Sequence, residues 1–475
     1  MKKCAIVVAL AAILPLSAAA AEPAIEFTRM WTYNHGAVAG QVSEIPAFDR
    51  KTNTLWIAGV VGVDVLDAAT GTLLQHIDTS GYGVVNSVAI HHGLAAFAVE
   101  AATRTSPGVV LFYDTKTRQP SEGTNVVEVG ALPDMLTFTP DGSKLLVANE
   151  ATPDVYGVRI NSTAPYVYDT APADPAGSVS IIDTEARSVV ATAGFDGVPV
   201  SGSNLRTTTG MDFEPEYIAV DEEGEKAYVT LQEANGMAVL DLKRNKFTRI
   251  VGLGAKDFSL PGNQIDPNDS DKVVSFISPA VKGLYMPDGI AAYEWRDHTY
   301  LVMANEGDFR EDDGDRTAAS TFGAVAPLNR LRVSNADSST GNLFAAGARS
   351  FSIRDAQGNL VYDSGDILDK EAAARGIYAD GRSRDKGVEP EGVSLIDIGG
   401  RTYAFIGLER TTTGAVAVFD ITKPADSFFV DMIVTDGDVA PEGLKAYQYR
   451  GEFYLAIANE VSNTTTLYSL ERKRR

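Results

Sequence analysis

Six apolar, β-rich segments of the chain each end in a glutamate. They are Leu94-Ala-Ala-Phe-Ala-Val-Glu100, Leu145-Leu-Val-Ala-Asn-Glu150, Ala227-Tyr-Val-Thr-Leu-Gln-Glu233, Tyr300-Leu-Val-Met-Ala-Asn-Glu306, Tyr403-Ala-Phe-Ile-Gly-Leu-Glu409 and Tyr454-Leu-Ala-Ile-Ala-Asn-Glu460. Five of these glutamates follow a proline-acid step by 16 to 18 residues: Asp134, Glu216, Asp288, Glu391 and Glu442, each directly after a proline. Glu44 and Ser87 hold the equivalent place in two earlier units. Carboxylates gathered in this way have three options. They share protons, they pair with basic side chains, or they hold a hard cation through oxygen. Ionised and empty is not an option, because two like charges 4 Å apart cost about 4 kcal/mol at an effective dielectric of 20.

Two antiparallel strands and a turn fit the spacing between each opening acid and its terminal glutamate. Both acids then lie at the same end of one hairpin. A third strand follows in most units, as in Val109–Tyr113, Ser178–Ile182, Met237–Leu240 and Ala415–Phe419, and each of these four runs into an Asp. Units open near residues 44, 87, 134, 216, 288, 391 and 442, with a shortest spacing of 43. Short strands at that period are the signature of a β-propeller, at about 40–45 residues per four-stranded blade. The pattern predicts an all-β, seven-bladed β-propeller over residues 23–475 as a single domain. The last unit lacks an outer strand, and Ile25–Tyr33 is a strand without a unit. The N-terminal strand is therefore expected to close the last blade and remove a free edge. The opening acids should ring one mouth of the channel, and the terminal glutamates should form a wider ring on the same face. The alternative role for the opening acids is to accept hydrogen bonds from neighbouring strands and pin the ring together.

Three units are longer than a blade needs, and the excess falls in 152–176, 255–282 and 312–385. Within the last, Arg349–Arg354 and Asn359–Asp363 read as two outer strands and Ile367–Gly376 as a helix. The rest is expected to form long loops. The loop from Asn305 to Asp315 is the densest acidic cluster and a candidate cation site, although it fits no EF-hand register. Asp266–Asp271 is a weaker candidate of the same kind. The alternative for both is a solvated acidic loop. The five histidines have no zinc-type spacing, and no nucleophile elbow, Walker loop or dinucleotide fingerprint occurs.

Composition narrows the classes. The chain has 475 residues and a net charge of −22, which argues against nucleic acid and anionic membrane surfaces as partners. Residues 1–22 read as a secretory signal peptide: Lys2 and Lys3, an apolar stretch from Ala5 to Leu16, then small residues. The only cysteine, Cys4, lies inside that segment, so the remainder is expected to contain no disulfide and no thiolate chemistry. No later stretch is apolar enough to span a membrane. The protein is thus expected to be exported, to the periplasm or beyond. Its oligomeric state is not legible.

Longer motifs carry a resemblance. Gly130-Ala-Leu-Pro-Asp-Met-Leu-Thr-Phe-Thr-Pro-Asp-Gly142, Met286-Pro-Asp-Gly289 with Ala304-Asn-Glu-Gly-Asp308, Lys386-Gly-Val-Glu-Pro-Glu-Gly392 with Gly407-Leu-Glu-Arg410, and Pro441-Glu-Gly443 with Ala458-Asn-Glu-Val-Ser462 are similar to the choice-of-anchor I family. The resemblance implies a secreted or surface β-propeller associated in some relatives with calcium. Two readings stay open. In the first, the chain is an exported calcium-associated (Ca2+) binding or scaffold propeller. Its metal ligands are Asp134, Glu216, Asp288, Glu391 and Glu442, with Glu150, Glu233, Glu306, Asp308, Glu409 and Glu460 around them. In the second it is a calcium-dependent phosphoesterase at the same acidic mouth, with Arg310, Arg410 and Lys386 as contacts to a phosphate ligand.

Overall fold

The apolar runs form strands because each is short, rich in β-branched and aromatic residues, and bounded by turn residues. A computed structural model describes residues 25–153, 175–207, 213–310 and 314–472. The expected signal peptide, most of the 152–176 excess, Glu311–Asp313 and the last three residues lie outside them.

Among the described residues, seven sheets carry at least four strands each, laid side by side in chain order. Their first strands are Pro46–Asp49, Val84–His91, Pro133–Phe138, Pro215–Val220, Ile290–Trp295, Pro390–Asp397 and Pro441–Tyr449. The second strands, such as Lys144–Asn149, are buried on both faces, which explains their unbroken apolar runs. Outer strands alternate instead: Ser188–Ala193 exposes every second residue. The Asp that ends each third strand caps the following turn. Asp114, Asp183 and Asp241 each accept a backbone N–H from the residue three positions on, and Asp420 accepts from Thr422.

Hydrophobic cores lie between successive sheets. Leu146, Val179, Val229 and Leu240 join the third to the fourth. Tyr403, Val418, Leu455 and Leu470 join the sixth to the seventh. Leu55, Ile57, Tyr447, Ala456 and Leu467 join the seventh to the first. The first strand of every sheet also packs on that of the next, and Pro441–Tyr449 packs on Pro46–Asp49. Ile25–Asn34 pairs antiparallel with Thr464–Arg472, as the outer strand of the seventh sheet.

The junction of that strand with the first sheet is polar, with His35, Asp64 and Thr465 fully buried and His76 partly so. His35 Nδ1 lies 2.6 Å from Asp64 and its Nε2 2.8 Å from Thr465, while His76 meets the other Asp64 oxygen at 2.7 Å. Nothing in the spacing of these histidines announces the arrangement.

Ser350–Asp355 and Leu360–Asp363 are the two outer strands of the fifth sheet, and Ile367–Ala374 is a helix. The remaining excess departs from the expectation of long loops. Ala255–Asp257, Val281–Leu284 and Leu343–Ala345 form a small sheet, and Arg316–Ala318 pairs with Arg332–Ser334. The reason is apolar: Phe258, Ile265, Val281, Phe322, Leu331 and Val333 bury one another in a core of their own.

Candidate functional site

Four of the five proline-acid steps open a first strand with a local break in pairing, and Pro287-Asp288 lies just before its strand, Ile290–Trp295. Register shifts occur between Pro133 and Leu136, Pro215 and Ile218, Pro390 and Val393, and Pro441 and Leu444. A bulge re-aims a side chain away from the regular pleat. Four of the five prolines follow a non-glycine residue at positive φ: Leu132, Met286, Glu389 and Ala440, between 44° and 59°. Such backbone is costly and survives only where the surroundings over-determine it.

The result is convergence. Asp134, Glu216, Asp288, Glu391 and Glu442 line one cavity of about 160 Å³, joined by Glu306, Asn86, Tyr217, Gln232 and Ile45. The five opening carboxylates accept no hydrogen bond and make no ion pair among the described residues. The role of pinning neighbouring strands is therefore not the one seen. Glu216 and Asp288 are only 9% and 8% exposed. Burial pushes both well above the usual carboxylate range, and neighbouring acids push further: Glu150 and Glu233 on Glu216, Glu306 and Asp134 on Asp288. Glu391 and Glu442 are raised in the same way. Asp134 is pushed up to about 6 and Glu44 to about 8, again chiefly by burial.

The terminal glutamates lie close to the opening acids but are treated differently. Glu306 accepts from Lys386 Nζ at 2.5 Å and from Gln232 Nε2 at 2.8 Å. Lys386 also meets Glu389 at 3.1 Å and Asp308 at 3.5 Å. Arg410 pairs with Glu409 at 2.5 Å, and Arg382 with Glu389 at 2.6 Å. Glu150 accepts the Thr152 hydroxyl. Glu233 is buried, and its Oε2 has no hydrogen-bond partner among the described residues. Glu460 lies within the field of Glu44 and Glu442. Arg310 is buried with its guanidinium 3.1 Å from Asp315, which also pairs with Arg206. That pairing gives the Asn305–Asp315 loop its own counter-charges. In the second acidic loop Asp269 is held by Arg330 at 2.6 Å and Arg384 at 3.3 Å.

Among the described residues, two groups of carboxylate oxygens come within 4.8 Å of one another, Asp288–Glu306–Glu391 and Glu306–Glu389–Glu409. Glu389 was not among the residues singled out by spacing. Its signal was present in Glu389-Pro-Glu391, an acid on each side of the proline. The donor set is all oxygen, Glu216 and Asp288 are buried with no hydrogen-bond or ion-pair partner for their carboxylates among the described residues, and the cavity admits a hydrated ion. Those properties fit calcium or a similar hard cation.

An all-β chain of successive sheets packed on one another is a β-propeller by its structural neighbours. One is hydrazine synthase from Kuenenia stuttgartiensis (TM-score 0.53, 12% identity, 93% of this chain and 99% of that one). Another is a chain of the mitotic checkpoint complex (TM-score 0.50, 10% identity, 99% and 98%). At such identities the likeness speaks for the fold alone. The choice-of-anchor I domain matches residues 44–424, and the chain belongs to that family. No curated protein matches it by sequence. No helix among the described residues is long and apolar enough to cross a membrane.

Proposed function

We propose that this is an exported seven-bladed propeller, closed by its N-terminal strand, that binds a divalent cation of the calcium class in its acidic cavity. It acts as a binding or scaffold module. One observation carries the cation: Glu216 and Asp288 are more than nine-tenths buried, face a cavity, and have no partner for their charge among the described residues. Uncompensated buried carboxylates are sustained by a proton or by a cation. Seven sheets, a core at each junction and the pairing of Ile25–Asn34 with the last strand support the closed ring. The N-terminal segment and the extracellular association typical of choice-of-anchor domains support export.

The phosphoesterase reading draws less support. It needs basic side chains turned toward a phosphate, yet Lys386, Arg410 and Arg310 are turned toward carboxylates. The test is thermal unfolding with calcium and with chelator at modest ionic strength. Calcium should raise the melting temperature by several degrees, and Glu391→Gln/Glu442→Gln should abolish most of the rise. Equal melting temperatures in the two conditions would overturn the proposal.

A further inference from the structure

The two carboxylate trios share Glu306 but differ in their counter-charges. Around Glu306–Glu389–Glu409 three basic side chains converge. Lys386 reaches Glu306 and Glu389, Arg382 reaches Glu389, and Arg410 reaches Glu409. Lys386 is 8% exposed, so its ammonium has been taken out of water into this cluster. In Asp288–Glu306–Glu391 the shared Glu306 is the one member with such compensation among the described residues. Asp288 is more than nine-tenths buried, it faces the cavity, and no hydrogen bond or ion pair reaches it among the described residues. Glu391 Oε2 is also buried without a hydrogen-bond partner.

We infer that Lys386 is a resident counter-ion that closes the outer trio to metal, so that a divalent cation binds at Asp288–Glu306–Glu391. The inference rests on the cation-binding reading and specifies where that cation sits. Its physical basis is competition for the same oxygens. An ammonium 2.5 Å from one Glu306 oxygen and 3.1 Å from Glu389 occupies the position a metal would need between them. Gln232 holds the other Glu306 oxygen, at 2.8 Å. A carboxylate oxygen that accepts one hydrogen bond keeps a second lone pair for a ligand on the cavity side.

The prediction concerns stoichiometry. Calcium titration of the full chain by calorimetry should show binding that Asp288→Asn weakens by at least about tenfold, because it removes a charged ligand. Glu409→Gln, in the outer trio, should leave that affinity within about threefold, because an exchange confined to the compensated cluster removes no ligand. Lys386→Gln should add one binding event per chain, whereas Lys386→Arg should add none. If Lys386→Gln does not fold, the Asp288→Asn and Glu409→Gln pair decides alone. Equal losses from those two variants, or an unchanged stoichiometry in folded Lys386→Gln, overturn the inference while calcium binding by the wild type stands. No binding by the wild type overturns the inference and the cation reading together.

Discussion

At the residue scale the molecule separates acids that are compensated from acids that are not. Asp315 is fully buried, which by itself would raise its carboxyl, but Arg206 and Arg310 outweigh burial and hold it below the usual range. Asp315→Asn should therefore cost about 3–5 kcal/mol, since two buried guanidiniums lose this carboxylate. Denaturant unfolding measures it, and a loss under about 1 kcal/mol would show that the triad contributes little. None of this was legible from spacing: Arg206 and Asp315 are far apart in the chain, and only the fold brings them together. The opening acids were legible because a repeated residue type at a repeated interval needs no knowledge of partners. What spacing could not supply was the sorting. Lys386 and Arg410 read as cations near an acidic mouth, and the structure turns both inward onto glutamates.

At the element scale the proline-acid step is a junction as well as a site. In three sheets glycine follows the acid, and the first strands there approach too closely for any side chain. A Cβ on Gly289 would lie 2.4 Å from the Glu391 carbonyl oxygen, one on Gly392 would lie 2.0 Å from that of Glu442, and one on Gly443 would lie 2.1 Å from that of Glu44. The contact passes from sheet to sheet and from the seventh to the first. Gly392→Ala must push two backbones apart and should destabilise by about 1–3 kcal/mol, the usual range for overpacking. Because it moves Glu391 and Glu442, it should also weaken calcium binding. Gly381→Ala, where nothing lies within 4 Å, is the control and should change neither. A Gly392→Ala protein that melts with the wild type would mean the junction yields at no cost. The second strands of the sheets were readable because burial on both faces makes them continuous apolar runs. The small sheet around Phe258 and Leu331 was not, since its strands are three or four residues long and its core residues are scattered.

At the scale of the whole molecule the excess of 63 acids over 41 basic residues becomes a dependence on pH and cation. Glu44 is raised from 4.5 to about 8 by burial and by Glu460, Asp134 and Glu100. Asp134 is raised from 3.8 to about 6 by burial and Glu100, with Arg104 opposing. A carboxyl whose folded pKa exceeds its unfolded value binds its proton more tightly in the folded state. Its stabilising effect is present at the acidic end and is lost as pH rises through the interval between the two values. For these groups the interval runs from about 4 to about 8. Asp315 and Glu389 are held below their ordinary values, because their basic neighbours outweigh burial, so their stabilising effect is lost toward acid and not toward pH 8. In chelator and low salt, the melting temperature should therefore fall between pH 5 and pH 8. Calcium replaces the departing protons as counter-charge, so in its presence the fall should shrink or vanish, and binding should release protons. Calorimetry in two buffers of different ionisation enthalpy counts those protons. A melting temperature in chelator that stays flat or rises from pH 5 to pH 8 would mean that the buried ring is compensated by something other than protons. Calcium would then have no charge left to neutralise in that cavity.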